Sequence, residues 1–165
     1  MTDNNVFTLA DSNIQLVAPR DDLDFFDQQS MPLVKRLSPL QAWGIIMSQP
    51  MPLLKLGFAI RDTIAALFGV KKIGGFTGGV PETVETGDKL DFFLVEAVSD
   101  DILTLTERDR HLDVMTCVSV RDDVLTITAS VKTHNRFGRL YMIPVAPIHR
   151  RIVRKNLKQI AQSQA

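Results

Sequence analysis

The sequence predicts an α+β domain with an antiparallel sheet, two helices before the main run of strands, and a long C-terminal helix. Apolar and polar residues alternate from Leu90 to His134, interrupted by short Asp-rich turns, and this pattern is typical of antiparallel strands. Apolar residues recur at helical spacing both before and after this run. The 165 residues, of which 45% are hydrophobic and 23% charged, are sufficient for one folded domain.

The first elements are less regular than the later ones. Residues 1–20 are polar and show no sustained period, so they predict an extended, loosely held arm before a domain over residues 21–165. Residues 24–31 predict a first strand. Ser38 followed by Pro39 is a typical helix start, because a serine oxygen can accept a hydrogen bond from a first-turn amide and proline loses none there.

Two helices are predicted after this start, over residues 39–47 and from Pro52 to Phe68. The second carries apolar residues on nearly every side and should therefore be buried. Its charged residues Lys55 and Arg61 interrupt the apolar run well short of the about 20 residues that a membrane span needs.

A glycine-rich segment over residues 71–89 separates these helices from the strands. It lacks the lysine–serine/threonine ending of a phosphate-binding loop, so no nucleotide site is expected. A plain flexible loop and a mobile connection that gates a cavity both fit this composition.

The alternating segment predicts four strands, over residues 90–98, 102–107, 111–120 and 124–134. A two-residue turn at Asp122-Asp123 gathers one apolar face, whereas a turn one residue longer would mix the two faces. The predicted register pairs Val120 with Leu125, Val118 with Ile127, Thr116 with Ala129, and Val114 with Val131. On the second face it sets Asp113 opposite Lys132 and His111 opposite His134.

The polar pairs of this second face are the candidate catalytic residues. A carboxylate such as Asp113 can orient a histidine such as His111 or His134 and raise its basicity for acid–base chemistry. The competing interpretation is structural, because polar faces of antiparallel sheets usually meet solvent and Asp–Lys pairs stabilise them. No cofactor is expected, and no Cys/His cluster has zinc-ligand spacing. The two histidines and the aspartate could also hold a divalent metal, but the structural interpretation is favoured, so no metal site is predicted.

The candidate ligand-binding residues lie in the helices and in the turn before the last helix. Arg61 lies in a helix that should be buried, so it requires a carboxylate partner or anchors a ligand at a cavity mouth. Arg136 and Arg139 could bind a ligand carboxylate or phosphate, or secure the turn onto acidic neighbours. The predicted set consists of Arg61, Trp43, Phe58, Asn135, Arg136, Arg139, Tyr141 and His149. The last helix, predicted over residues 147–162, is basic and amphipathic; packing on the sheet is favoured over a membrane surface.

Charge and cysteine content exclude further classes. The net charge of zero argues against nucleic-acid binding, although residues 132–165 contain eight basic and no acidic residues. Cys117 is the single cysteine, so an intramolecular disulfide is excluded. The first residues lack a basic region followed by an apolar run, and we therefore expect a cytoplasmic protein.

Three segments resemble those of an uncharacterised bacterial domain-of-unknown-function family in the START and polyketide-cyclase-like superfamily. They are Arg-His-Leu-Asp at residues 110–113, His-Asn-Arg-Phe-Gly-Arg-Leu-Tyr at 134–141, and Pro-Ile-His-Arg-Arg-Ile-Val at 147–153. The resemblance covers residues 22 to 160. It implies a helix-grip fold, in which a curved antiparallel sheet wraps a long C-terminal helix, and a cavity between them. It implies no reaction, since fold alone does not supply function.

The sequence therefore favours a non-catalytic binder of a small apolar or amphipathic ligand in a cavity between sheet and helices. Two alternatives stay open: an enzyme that uses His111, Asp113 and His134 for acid–base chemistry, and a self-associating module without a ligand. A homodimer is compatible with each of the three.

Overall fold

A computed structural model describes residues 5–48, 52–67 and 79–165. It confirms the predicted α+β class and the order of the main elements. The strands are β1 (Phe7–Thr8), β2 (Gln15–Leu16), β3 (Phe25–Pro32), β4 (Lys89–Leu90), β5 (Phe93–Val98), β6 (Ile102–Arg108), β7 (Leu112–Arg121) and β8 (Val124–Thr133). The helices are α1 (Pro39–Met47), α2 (Pro52–Leu67) and α3 (Arg136–Ser163).

Strands β3 to β8 form one antiparallel sheet in the order β3-β8-β7-β6-β5-β4. We call its helix-covered side the inner face; β7 and β8 contribute to it Val114, Thr116, Val118, Leu125, Ile127, Ala129 and Val131. Helices α1 and α3 pack here, and Trp43, Ile46, Val153 and Leu157 share one core cluster with Val118 and Ile127. The arrangement is helix-grip-like, with the long C-terminal helix packed against the sheet.

The predicted register of the last hairpin is confirmed from Asp113–Lys132 to the turn, whereas His111 and His134 lie just beyond the paired strands. Val120 pairs with Leu125, Val114 with Val131, and Asp113 with Lys132. Asp122 and Asp123 both have positive φ, 52° and 57°, as a two-residue hairpin turn with the right-handed twist of the strands requires.

The segment before residue 20 differs from the loosely held arm that was expected. Strands β1 and β2 pair with each other and cover the opposite side of the sheet, the outer face, whose β7 and β8 residues are Met115, Cys117, Thr128 and Ser130. Leu16 is 1% exposed, and the Val17 amide donates to the Ser130 hydroxyl at 3.0 Å. Isolated apolar residues such as Ile14 and Leu16 show no period over so short a strand, so the alternation rule did not find them.

Helix α3 begins at Arg136, well before the predicted start at Pro147. Pro144 and Pro147 lie inside the helix. A proline in a helix interior removes a backbone hydrogen bond, so a local rule predicts a boundary here that the helix does not have. Asn135 is the N-cap, and its side-chain oxygen accepts from the Gly138 amide. The capping prediction at Ser38 is confirmed, since Ser38 and Gln41 form a capping box.

Both alternatives for the glycine-rich segment, a plain flexible loop and a gate, fall largely on residues 71–78, which lie outside the described residues. Gly87, within the described part, has a φ of 99° in the turn before β4.

Candidate functional site

A cavity of about 220 Å³ lies between the inner face of the sheet and the helices. One side of the cavity is an aromatic wall of four neighbouring rings, which in spatial order are Trp43, Phe93, Phe92 and Phe58. Successive ring centroids are separated by 6.1, 4.4 and 5.6 Å. Further apolar lining comes from Ile46, Met47, Leu112, Val114, Ile127, Val131, Phe137, Met142, Val145, Ile148, Ile152 and Val153. The predicted residues Trp43 and Phe58 therefore line the cavity.

The cavity extends across four strands. Phe25, Val131, Val114 and Glu107 are successive cross-strand partners on β3, β8, β7 and β6. At the usual spacing between strands, the backbones at the two ends of this row are about 14 Å apart. The row is apolar except at Glu107, so the two ends of the cavity differ in polarity.

The polar end of the cavity, as we name it, is formed by Arg61, Glu107, Asp109 and Tyr141. The Arg61 guanidinium lies 4.0 Å from the Asp109 carboxylate and 3.5 Å from that of Asp62. Asp109 Oδ1 accepts from the backbone amides of His111 and Leu112, at 2.6 and 2.9 Å, and these bonds fix the carboxylate before β7. Helix α2 is less buried than its apolar sequence predicts, since Leu67 is 79% exposed. The Arg61 side chain is 15% exposed and has carboxylate partners as well as access to the cavity.

The sequence interpretation missed Glu107 and Asp109. Leu103 and Leu105 of β6 are fully buried, and the same alternation continues to these two carboxylates. Because side chains alternate with a period of two, Leu103, Leu105, Glu107 and Asp109 point to the same side. Two acidic residues that continue a row of buried leucines are therefore the sequence signal that could have identified this end of the cavity.

Burial changes the protonation of this end. It raises the pKa of Tyr141 to about 12, an effect that Arg61 reduces and Asp109 and Asp62 reinforce, so the phenol remains a neutral hydrogen-bond donor at neutral pH. Burial also raises the pKa of Glu107, which the positive charges of Lys89 and Arg61 offset in part.

The start of α3 borders the same end. The His111 ring lies against Phe137, with centroids 4.3 Å apart, and its Nδ1 is 2.9 Å from the Asn135 amide nitrogen. Gly138 is required here because a Cβ at this position would overlap the His111 carbonyl oxygen. The Asn135 side-chain amide also donates to the Arg110 carbonyl, while its oxygen accepts from the Gly138 amide at the start of the helix.

His149 marks the other end of the row. Its ring makes an edge contact with Phe25, with centroids 5.7 Å apart, and it lines the cavity. Burial lowers the pKa of His149, an effect that Asp27 opposes and Arg150 reinforces. Among the described residues, its buried Nδ1 has no hydrogen-bond partner.

The three candidate catalytic residues do not form one cluster. Asp113 and His134 are brought together, with Asp113 Oδ1 3.1 Å from His134 Nε2 and Oδ2 3.4 Å from the Arg108 guanidinium. This pair alternates with the inner-face residues and is not part of the cavity lining, whereas His111 is. Lys132 faces Asp113 in register, but its ammonium donates to the Asp22 carbonyl.

Arg136 and Arg139 lie on the exposed side of α3, outside the cavity lining. Arg139 instead acts on Asp24, whose pKa is lowered overall. Burial raises this pKa, but hydrogen bonds from Thr133 and the positive charges of Lys132 and Arg139 outweigh it.

Within the described part of the chain, no group of three or more His, Cys, Asp or Glu side chains is arranged to hold a metal ion. Nor does any described helix have the length and apolar character needed to cross a membrane.

Comparison with known proteins identifies the family of the chain. No curated protein and no solved structure matches the chain. A family model does match residues 20–156, and its description is "Protein of unknown function (DUF2867)". That match spans most of the chain, including every residue of the cavity named above, and the chain therefore belongs to the DUF2867 family.

Proposed function

We propose that this protein binds a small, mostly apolar molecule with one polar end in the cavity between the sheet and α3. The observation that carries the proposal is the cavity of about 220 Å³, apolar over most of its wall and polar where Arg61, Glu107, Asp109 and Tyr141 meet. Such a combination of an apolar pocket with a few convergent polar groups is typical of small-molecule sites.

The size of the cavity bounds the ligand. An engineered apolar cavity of about 150 Å³ holds benzene, so a proportionally larger space accommodates about nine non-hydrogen atoms. This is smaller than the about 300–1,000 Å³ typical of pockets for drug-sized ligands. A single ring with a short substituent, or a medium alkyl chain, fits this size.

Burial of apolar surface favours an occupant. Most of the cavity wall is apolar, so a ligand that fills the space removes apolar surface from water, which is favourable by about 25 cal/mol per Å².

We infer binding rather than catalysis because the three candidate catalytic residues are separated: Asp113 and His134 lie outside the cavity, whereas His111 lines it. The helix-grip-like arrangement also supports placing the family in the START and polyketide-cyclase-like superfamily, although a shared fold alone assigns no ligand.

Native mass spectrometry of gently purified full-length protein, followed by organic extraction, tests the proposal. We expect a discrete additional mass that is lost on denaturation. Ala129 lies on the inner face within the cavity, so Ala129→Leu should abolish the additional mass without unfolding the protein. Ala161→Leu, on the exposed side of α3, is the matched control and should retain it.

A bare mass, together with a melting temperature unchanged by a panel of small apolar molecules, would contradict the proposal. If light scattering then showed a stable dimer, the self-associating module would be the better account.

A further inference from the structure

The charges at the polar end constrain the head group of the ligand. Arg61 is the one positively charged residue among the described cavity-lining side chains, apart from the histidines, and it already contacts Asp62 and Asp109. Glu107 and Asp109 line the same end. A ligand carboxylate placed there would face two carboxylates and would have to compete with Asp62 and Asp109 for the guanidinium.

Glu107 is the least compensated of these groups. Over residues 5–48, 52–67 and 79–165, it has no ion-pair or hydrogen-bond partner, although it projects from the apolar inner face. Lys89 of β4 acts on it electrostatically, but that side chain is exposed and is not part of the lining. A partly buried carboxylate that projects from an apolar face without a direct partner is stabilised when a cation joins it.

The apolar surroundings suit a cation as well as a hydrocarbon. Phe58 and Phe92 of the aromatic wall, together with Tyr141, line the cavity that Glu107 enters. The face of an aromatic ring attracts an ammonium group within about 6 Å of its centroid. At the opposite end, the unpartnered Nδ1 of His149 indicates a second polar contact that a ligand could complete.

We propose that the ligand is a small apolar amine, whose protonated head group is held by Glu107 and Asp109 and whose hydrocarbon part lies along the aromatic wall. This inference rests on the proposed function, because it specifies the ligand class of the same cavity. The raised pKa of Glu107 is consistent with an amine ligand. Burial disfavours the ionised carboxyl, and a bound ammonium group would favour it.

A matched set of four probes tests the charge of the head group separately from binding itself. 2-Phenylethylamine, 2-phenylethanol, phenylacetate and ethylbenzene share one aromatic skeleton and differ in charge and polarity. Calorimetry or saturation-transfer NMR at pH 7 and low salt gives their dissociation constants on the full-length protein. We expect the amine to bind at least about tenfold more tightly than phenylacetate, with the neutral alcohol between them.

Variants assign the effect to the proposed carboxylate. Glu107→Gln should weaken 2-phenylethylamine by about tenfold and leave 2-phenylethanol within about twofold, because only the charge is removed. Glu82→Gln, an exposed residue outside the cavity, is the control and should change neither affinity. A fall in the pKa of Glu107 when the amine is added, followed by NMR, would give a readout that does not depend on affinity.

The outcomes separate the two proposals. Phenylacetate binding as tightly as the amine, or a Glu107→Gln variant that binds the amine unchanged, would overturn the amine inference and leave cavity binding in place. Failure of all four probes to bind would overturn cavity binding for ligands of this size, and the amine inference with it.

Discussion

Gly138→Ala tests the close contact between the start of α3 and the strand end that carries His111. Helix propensity alone predicts that alanine is more stable than glycine at this first-turn position of α3, by at most about 1 kcal/mol. The structure predicts the opposite sign, because the added Cβ would overlap the His111 carbonyl oxygen and would lie 3.3 Å from Thr133 Cβ.

The magnitude follows from what must move. Overpacking costs about 1–3 kcal/mol. The His111 carbonyl also accepts from the His134 amide at 2.8 Å. Weakening that bond costs about 1 kcal/mol more. After the gain in propensity is subtracted, the net loss is about 2 kcal/mol, which corresponds to about 4–8 °C in melting temperature for a domain of this size.

Urea denaturation followed by circular dichroism measures the change, and Gly44→Ala is the control. Gly44 is also helical, but a Cβ built there meets nothing within 4 Å, so this variant should be more stable by about 0.5–1 kcal/mol. If Gly138→Ala proves as stable as the wild type, or if both variants shift in the same direction, the close contact is wrong.

Two further predictions concern the histidines. Because burial holds the pKa of His149 below its ordinary value of 6.5, the unfolded chain gains a proton before the folded chain does, and stability falls as pH decreases below about 6.5. His149→Phe should reduce the loss of unfolding free energy between pH 7.5 and 5, and an unchanged slope would refute this cause. Asp113→Asn removes the carboxylate charge beside His134 on the outer face, so it should leave the affinity for 2-phenylethanol within about twofold of wild type. A larger loss would connect that pair to the cavity.

The sheet was the most predictable part of the molecule. Alternation over β7 and β8, together with the Asp122-Asp123 turn, determined the register, because a slip of one residue would have exposed Val118 and Ile127. The helix cap at Ser38 was equally predictable, because its hydrogen bonds involve only residues three positions apart. These predictions needed only neighbours in sequence or a single hairpin.

The missed features depend on long-range contacts. The outer face is covered because Leu16 packs near Cys117, about a hundred residues away in sequence, and no local pattern of the N-terminal segment specifies this. Helix α3 continues through Pro144 and Pro147, where a local rule predicts a boundary.

The candidate site was predicted in part for the same reason. Trp43, Phe58, Arg61, Tyr141, His111 and His149 do line the cavity, whereas Asp113, His134, Asn135, Arg136 and Arg139 do not. Whether a candidate residue lines the cavity depends on where its side chain points at the end of a strand or helix. His111 precedes the first residue of β7, and it lines the cavity although strict alternation would place it on the same side as Asp113.

The most direct test of cavity binding is an NMR titration of the full-length protein with 2-phenylethanol, a neutral probe that does not depend on the charge of the head group. We predict saturable shifts of the inner-face amides of Val114, Ala129 and Val131, with much smaller changes at the outer-face residues Met115 and Ser130. Absence of saturable shifts, or shifts confined to residues outside the cavity, would contradict the account.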